Sequence, residues 1–546
     1  MNLMRIPRPV VLLILDGWGL APAGPGNAVS LAETTNFNSF WAAYPHTQLT
    51  ASGEAVGLPR GEPGNTETGH LNLGAGQIVY QDLLRINMSI ADGSFYQNKI
   101  LAEAARHASQ NKGKLHIMGL IGAGGVHSNI EHLFATLSFC KQLGLTSVYL
   151  HLFTDGRDSP PTSAPTYISQ IRDVILREGV GRIATVMGRY YAMDRDLRWE
   201  RTERAYRALV EGEGNKFSSP EEAIQSSYDS GKTDEFVEPA VMVDGEGKPL
   251  GLIGEGDAVI FFNFRIDRPR QLTKGFCLDD FENEANLSGG YDPYAIKYFK
   301  KHEQKDETSR PLFKRSPKIK NLYFVTLTEY QKGLPVNVAY PPQTIEMPLS
   351  RIVSDRGLRQ LHASESEKER FVTFFFNGQR DGSFPGEDRL IIPSPKVATY
   401  DLMPQMSALA LTERIKALVL SKTYDFMVVN FANPDMVGHT GVLEAAIRAV
   451  ETTDKCVGEI ARTVMPLGGC VIVTADHGNV EEMINPKTGQ IDTEHSSFPV
   501  PFILLHRELT GPRTLPSGIL ADVAPTILSL MQIQKPPTMF GRSLLI

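Results

Sequence analysis

Val471-Ile472-Val473-Thr474-Ala475-Asp476-His477-Gly478-Asn479 is an apolar, β-rich run that stops at an Asp and a His side by side, after which Gly and Asn turn the chain. In open α/β sheets, ligands sit just beyond the carboxyl ends of strands. Carboxylate and imidazole both ligate first-row metals, and Gly lets the backbone come close. Alone, the stretch reads equally well as a strand and a polar turn. A second stretch adds weight: Met427-Val428-Val429-Asn430-Phe431-Ala432-Asn433-Pro434-Asp435-Met436-Val437-Gly438-His439-Thr440 again runs an apolar strand into an Asp and a His. That Asp-x-x-x-His spacing shares one face if helical, whereas Pro434 and Gly438 favour a turn at the strand end. His495, in Glu494-His495-Ser496-Ser497-Phe498-Pro499, is a third candidate. Three such stretches near the C-terminus point to a binuclear metal site.

Composition frames that site. A chain of 546 residues is long enough for two domains. Hydrophobic content of 42% and charged content of 21% describe a soluble globular protein. Net charge is −7, without a concentrated basic stripe, which argues against nucleic acid as a partner. The early apolar run Val10 to Leu15 is too short to span a membrane. Asp16 ends it abruptly, which argues against a signal peptide. Cys140, Cys277, Cys456 and Cys470 show no paired spacing and read as reduced core residues of a cytoplasmic protein.

Val10 to Leu15 leads into Asp16-Gly17-Trp18-Gly19. An apolar strand of this kind belongs in a parallel sheet buried on both faces. Asp16 either starts a turn or joins the metal site. Gly61 to Gly76 (GEPGNTETGHLNLGAG) is a tight Gly-rich loop opening a helix at its far side. Backbone N–H groups there can hold a phosphate, and a hydroxyl there can be a nucleophile. An ordinary Gly-rich connection is the plain alternative.

Helices are expected at Asn98 to Gln110, Ile130 to Leu143, Thr162 to Glu178 and Asp196 to Leu209. Strands are expected at Lys114 to Leu120, Ser147 to Phe153, Arg182 to Met187 and Ala258 to Phe264. This alternation means a parallel sheet covered on both faces. Five arginines stand beside the strand ends: Arg157, Arg189, Arg195, Arg265 and Arg268. Guanidinium binds phosphate and carboxylate in bidentate fashion, so their shared position points to a pocket for a small phosphorylated acid.

Phe299 to Lys320 (FKKHEQKDETSRPLFKRSPKIK) is charged and reads as a surface excursion. Asn321 to Tyr330 returns to strand, and the α/β alternation then runs on to Leu530. If Asp16 and Thr66 share a site with Asp435, His439, Asp476, His477 and His495, the two ends of the chain form one domain. The intervening stretch is too long for a loop and must be an inserted domain. Linkers are expected near Ile78 to Asp82 and Ala339 to Gln343, giving residues 1–80 and 341–546 as one domain and 81–340 as the other. A cleft would set the arginines opposite the metals, and paired linkers would permit hinge closure.

The segments LDGWG, HSNIEHLF, FTDGRD, GRYYAMDRD, FFNFRIDR, FFFNG, PGEDR, IPSPKVATYDL, NFANPDMVGHTG, TADHGN and VPFILL, in this order over nearly the whole chain, resemble the cofactor-independent phosphoglycerate mutases of the alkaline phosphatase superfamily. The resemblance implies an α/β fold of two domains, each a mainly parallel sheet flanked by helices: an alkaline-phosphatase-like core with an inserted second α/β domain. It implies Asp435, His439 and His495 as ligands of one ion. Asp16, Asp476, His477 and the nucleophilic hydroxyl carry over for the other. The expected ions are two Mn²⁺, with Co²⁺, Mg²⁺ or Zn²⁺ in some members. His127, Arg157, Asp158, Arg189, Arg195, Arg265, Arg268 and Lys368 carry over as substrate-binding residues. The family's nucleophile is a serine in a Gly-Asn-Ser-Glu-x-Gly-His segment, and here that position is Thr66.

The implied reaction moves phosphate from 3-phosphoglycerate to the hydroxyl, reorients glycerate, and returns the phosphate as 2-phosphoglycerate, without 2,3-bisphosphoglycerate. His127 is the candidate for proton transfer and Lys368 for neutralising phosphate. A monomer acting only on these small molecules is expected. The alternatives are a metal-dependent phosphohydrolase or sulfatase sharing the metal cluster, a phosphopentomutase with a different cap domain, and a catalytically silent relative in which Thr66 is a spacer.

Overall fold

The structure, a computed structural model, describes residues 6–287, 310–511 and 513–545. It divides into two compact units, Met1–Gln81 with Gln343–Ile546, and Asp82–Pro342. Among the described residues no helix is long and apolar enough to cross a membrane. All four cysteines are free and buried.

The strands among the described residues, numbered in chain order, are β1 Val10–Leu15, β2 His46–Thr50, β3 Leu115–Ile121, β4 Val148–Thr154, β5 Arg182–Gly188, β6 Asn215–Phe217, β7 Ala240–Met242, β8 Ala258–Phe261, β9 Tyr323–Thr328, β10 Asn337–Tyr340, β11 Gln360–Glu365, β12 Glu387–Ile392, β13 Phe426–Phe431, β14 Cys470–Thr474, β15 Val500–Leu505 and β16 Gly518–Ile519.

The first unit holds the sheet β12-β11-β13-β1-β14-β15-β2-β16. Its strands β12 to β14 in that order are parallel, and β15 runs antiparallel to β14 and β2. Every residue of β1, VVLLIL, is buried, because helices cover both faces of a parallel sheet. Leu12 pairs with Val428 on one side and Ile472 on the other. One cover is the helix Leu443–Val464, which buries Ala446, Ala449, Val450, Val457, Ile460 and Ala461 along one face, the helical period of an amphipathic element.

The second unit holds the sheet β10-β9-β8-β3-β4-β5-β7-β6, in which only the β5–β7 pair is antiparallel. Three local expectations change here or in the first unit. The helix expected from Asp196 starts at Trp199. The Asp194 carboxylate accepts the backbone N–H groups of Asp196 and Arg198 instead, around Leu197 at φ 57°. The strand expected to reach Phe264 ends at Phe261, because the Asn263 side chain takes over as acceptor for the Leu120 N–H at 2.9 Å. The turn favoured at Pro434 is a short helix, Asn433–Gly438, since proline's fixed φ suits a first helical turn.

Of the charged stretch Phe299 to Lys320, residues 299–309 lie outside the described residues. The remainder runs along the surface, with all its side chains but one at least partly exposed, and is pinned there. Phe313 is buried against Trp199, Tyr206 and Phe281, and Arg315 donates to the carbonyls of Gly275 and Leu278 at 3.1 and 2.8 Å. One aromatic side chain with a core slot outweighs the polar average around it.

Candidate active site

In the first unit, four adjacent parallel strands end in polar groups. Lys368 follows β11, Asp435 follows β13, Asp16 follows β1, and Asp476 with His477 follows β14. His495 precedes β15, whose antiparallel course returns the chain to the same edge. Thr66 is the first residue of the helix Thr66–Ala75, capped by Asn65, whose side chain accepts the Thr68 N–H. The positive end of that helix favours negative charge on the Thr66 oxygen. Gly69 lets the helix lie against the Asp476 backbone, since a Cβ there would stand 2.5 Å from the Asp476 carbonyl oxygen. The neighbouring Thr68 hydroxyl is engaged with Asn65.

The side chains converge closely. Lys368 Nζ donates to Asp16 Oδ1 at 2.8 Å, Thr66 Oγ1 at 3.0 Å and Asp435 Oδ2 at 2.7 Å. Thr66 Oγ1 also lies 3.0 Å from His477 Nε2. Three imidazoles turn Nε2 inward because Nδ1 is committed to a carbonyl: His439 to Thr493, His495 to Gly64 and His477 to Gly478. A ring nitrogen facing a carbonyl carries the proton, so Nε2 is the atom left to meet a cation or, without one, a second proton. His439 Nε2 and His495 Nε2 then lie 3.3 and 3.2 Å from Asp435 Oδ1. Two lone pairs and a carboxylate oxygen at that spacing suit a divalent cation. His477 Nε2 faces Asp16 and Asp476 at 3.4 and 3.6 Å.

Donor atoms of Asp435, His477 and His495 fall within 4.8 Å of one another, as do those of Asp16, His70 and Asp476. His70 is better read as a support than a ligand. Its Nδ1 faces the Thr66 carbonyl and Asp476 Oδ2, and its Nε2 faces the Asn430 amide at 3.0 Å. Asn430 also donates to Asp16 Oδ2 at 2.7 Å, and Asn479 donates to Asp435 Oδ1 at 2.9 Å.

Charges follow from this packing. Burial works against an ionised Asp435, yet Lys368 and His439 hold its pKa well below the ordinary carboxylate range. Burial likewise opposes the Lys368 ammonium, but Asp16, Asp435 and Asp476 push its pKa above that of a free lysine. His477 is buried too, and Asp476, Asp16 and Asp435 push it up to about 9. The carboxylates draw positive charge to this point.

The second unit builds a separate cluster at the carboxyl ends of β3, β4, β5 and β8. Arg189, buried, hydrogen-bonds Asp155 and Asp158. Arg195 hydrogen-bonds Asp267, and Arg265 Nε lies 3.2 Å from Asp267 Oδ1. His127 sits between two carboxylates, 3.7 Å from Asp158 Oδ2 and 3.6 Å from Asp267 Oδ1. Burial pushes the His127 pKa down to about 3; Asp267 opposes this, and Arg189, Arg265 and Arg268 reinforce it. Burial and the neighbouring arginines lower Arg268 to about 10. Like charges crowded in this way await an anion. Arg157 stands apart, half-exposed and 3.6 Å from Glu235. Lys368, grouped from sequence with these substrate residues, belongs to the first cluster instead.

Sequence reading passed over His70, Asn430, Asn479, Asp155 and Asp267. A signal existed for two of them: Asn430 is a polar residue inside an apolar strand, and Asp267 is the one acid among the arginines of FRIDR.

Residues 86–332 match the family model for the BPG-independent PGAM N-terminus. The chain is 51% identical over 543 residues to the 2,3-bisphosphoglycerate-independent phosphoglycerate mutase of Moorella thermoacetica, covering 100% of this chain and 99% of that one. It is 49% identical to the enzyme of the same name from Chloroflexus aurantiacus, with coverage of 100% and 99%. Among solved structures, Leishmania mexicana phosphoglycerate mutase, crystallised at low cobalt concentration, matches with TM-score 0.60 and 29% identity over 98% of this chain and 97% of that one. With identity near half sustained from end to end, the chain belongs to the 2,3-bisphosphoglycerate-independent phosphoglycerate mutases.

Proposed function

We propose that this mutase interconverts 3-phosphoglycerate and 2-phosphoglycerate through a phosphothreonine at Thr66, with two divalent ions, Mn²⁺ foremost, at the first cluster. Asp435, His439 and His495 would hold one ion; Asp16, Asp476, His477 and Thr66 would hold the other. The inward Nε2 atoms of the three imidazoles support this donor set, as does the cobalt named for the Leishmania mexicana structure. When bound, such ions lower the pKa of the hydroxyl and screen the phosphoryl oxygens.

The observation that carries the reading is the Thr66 hydroxyl, 3.0 Å from both Lys368 Nζ and His477 Nε2 at a helix N-terminus. A bond forms from Thr66 Oγ1 to phosphorus as the bond from phosphorus to the glycerate oxygen breaks. One proton leaves Thr66 and one reaches the departing oxygen. The second half runs both transfers backwards at the neighbouring hydroxyl. The Lys368 ammonium stabilises the Thr66 oxygen while it is anionic. Arg189, Arg195, Arg265 and Arg268, with Arg157 at the edge, hold the carboxylate and phosphate, and Asp158 holds the hydroxyls. His127, neutral in the free enzyme, takes a proton when the phosphate and carboxylate charges of the bound substrate raise its pKa; it gives that proton to the departing glycerate oxygen and, as the neutral base, takes one from the glycerate hydroxyl that attacks the phosphothreonine. A monomer acting on small molecules alone is part of this proposal.

The test incubates enzyme, Mn²⁺ and 3-phosphoglycerate without 2,3-bisphosphoglycerate, quenches in acid, and maps the phosphopeptide by mass spectrometry. Phosphate on Thr66 with 2-phosphoglycerate as product is expected. Release of inorganic phosphate without 2-phosphoglycerate would make the protein a phosphohydrolase.

A further inference from the structure

Glu481 lies five residues beyond Asp476, is buried, and has no role in the chemistry above. Its carboxylate Oε2 accepts the Gly19 N–H at 3.0 Å and the Asn479 N–H at 2.9 Å, while Oε1 accepts the Ser496 hydroxyl. Each donor belongs to a different ligand-bearing segment. Gly19 is in the turn that follows Asp16, Asn479 is two residues after His477, and Ser496 is next to His495. The Asn479 side chain in turn holds Asp435 Oδ1. The space is cut to this carboxylate: a Cβ on Gly19 would stand 2.3 Å from Glu481 Cδ, and one on Gly478 would stand 2.2 Å from Glu481 Oε1.

We infer that Glu481 is a positioning residue for the metal site, a single buried carboxylate that clasps the Asp16, His477 and His495 segments in register for cation binding. The three segments are joined to strands β1, β14 and β15, so the sheet sets only their roots. Beyond the strand ends, the ligand atoms must be aligned within a few tenths of an ångström for a cation. Two backbone N–H groups and a hydroxyl, all buried, also need an acceptor there. One side chain with two oxygens answers both demands. A glutamine could reproduce the pattern: its carbonyl takes the two N–H groups and its amide donates to Ser496. A shorter or apolar side chain could not.

This inference rests on the reading of the first cluster as a divalent-metal site, and the experiment separates the two. Apoprotein is prepared with chelator. Mn²⁺ binding is measured by calorimetry and by electron paramagnetic resonance, and the melting temperature of the metal-free protein by circular dichroism. Supports of this kind typically change metal affinity by about 10–100-fold, and that weakening is expected for Glu481→Ala, with Glu481→Gln within about threefold of wild type and Ser496→Ala between them. A Glu481→Ala protein that melts lower yet binds Mn²⁺ as wild type does would make the residue merely structural and overturn the inference. Should Glu481→Ala fail to fold, Ser496→Ala decides, and wild-type affinity in that variant overturns it equally. A wild-type apoprotein that binds no Mn²⁺ would instead remove the metal reading itself, and this inference with it.

Discussion

His439 Nε2 and His495 Nε2 face each other at 3.1 Å, with the Nδ1 of each ring held by a backbone carbonyl. Two lone pairs that close repel unless a cation or proton lies between them. Chelation to completion is therefore expected to abolish mutase activity, and Mn²⁺ or Co²⁺ to restore it. Asp435→Asn, which removes the anionic member of this group, should lower activity by orders of magnitude together with metal content measured by mass spectrometry. Full activity in verified metal-free protein would sink the assignment.

Thr66 tests the nucleophile. Its Oγ1 is as far from Cβ as a serine oxygen, and the added methyl restricts χ1. Because Lys368 and His477 already meet that oxygen in the observed rotamer, Thr66→Ser should keep substantial activity. Thr66→Ala should lose both activity and acid-stable phosphate. Phosphate recovered on Thr68 or on a histidine would move the nucleophile elsewhere.

His127 makes a prediction about pH. Its folded pKa of about 3 lies below the ordinary 6.5. The folded protein thus binds fewer protons here than the unfolded chain once pH falls below 6.5. The contribution to stability is fully present above 6.5 and is lost as pH falls toward 3. In the free enzyme, nitrogen-15 NMR should show a neutral His127 ring throughout the interval from about pH 5.5 to 8, where an ordinary histidine titrates. A midpoint inside that interval would contradict it.

Arg268 is placed for anion binding at a cost to stability. Its pKa, lowered to about 10, reflects burial and repulsion from Arg189 and Arg195. Arg268→Ala should weaken use of phosphoglycerate at least tens-fold, since hydrogen bonds to charged groups contribute roughly 1.5–3 kcal/mol each. Metal content should not change, and the melting temperature of the unliganded protein should not fall. Wild-type kinetics would make Arg268 a bystander.

Asp267 binds Arg195 and lies beside Arg265 and His127. Asp267→Asn keeps the volume and removes the charge. A raised KM with a smaller change in kcat is expected, together with a still lower His127 pKa, because Asp267 is the group that opposes its depression. An unchanged His127 resonance would remove Asp267 from the cluster's electrostatics.

The parallel sheets are legible in the chain because VVLLIL and CVIVT, buried on both faces, leave no solvent-facing register and must be continuously apolar. Asp16, Asp435 and Asp476 are legible as strand terminators for the same reason: a charge there has to lie where the ladder stops. The arginine-bearing strand ends Arg189 and Arg265 follow the same logic. Local competition hid more. Asp194 and Asn263 broke expected elements through side-chain hydrogen bonds, and Phe313 buried itself from inside a charged run. Tertiary structure alone decided which ring nitrogen His439 and His495 turn inward and which groups support the aspartates. His495 takes its orientation from the carbonyl of Gly64, 431 residues away, and Lys368 reaches Asp16 across 352 residues. Glu481 joins Gly19 to Ser496 in the same way. Residue type and spacing determine that a strand ends in a ligand-capable group; the direction of a lone pair depends on a hydrogen-bond partner that only folding brings within 3 Å.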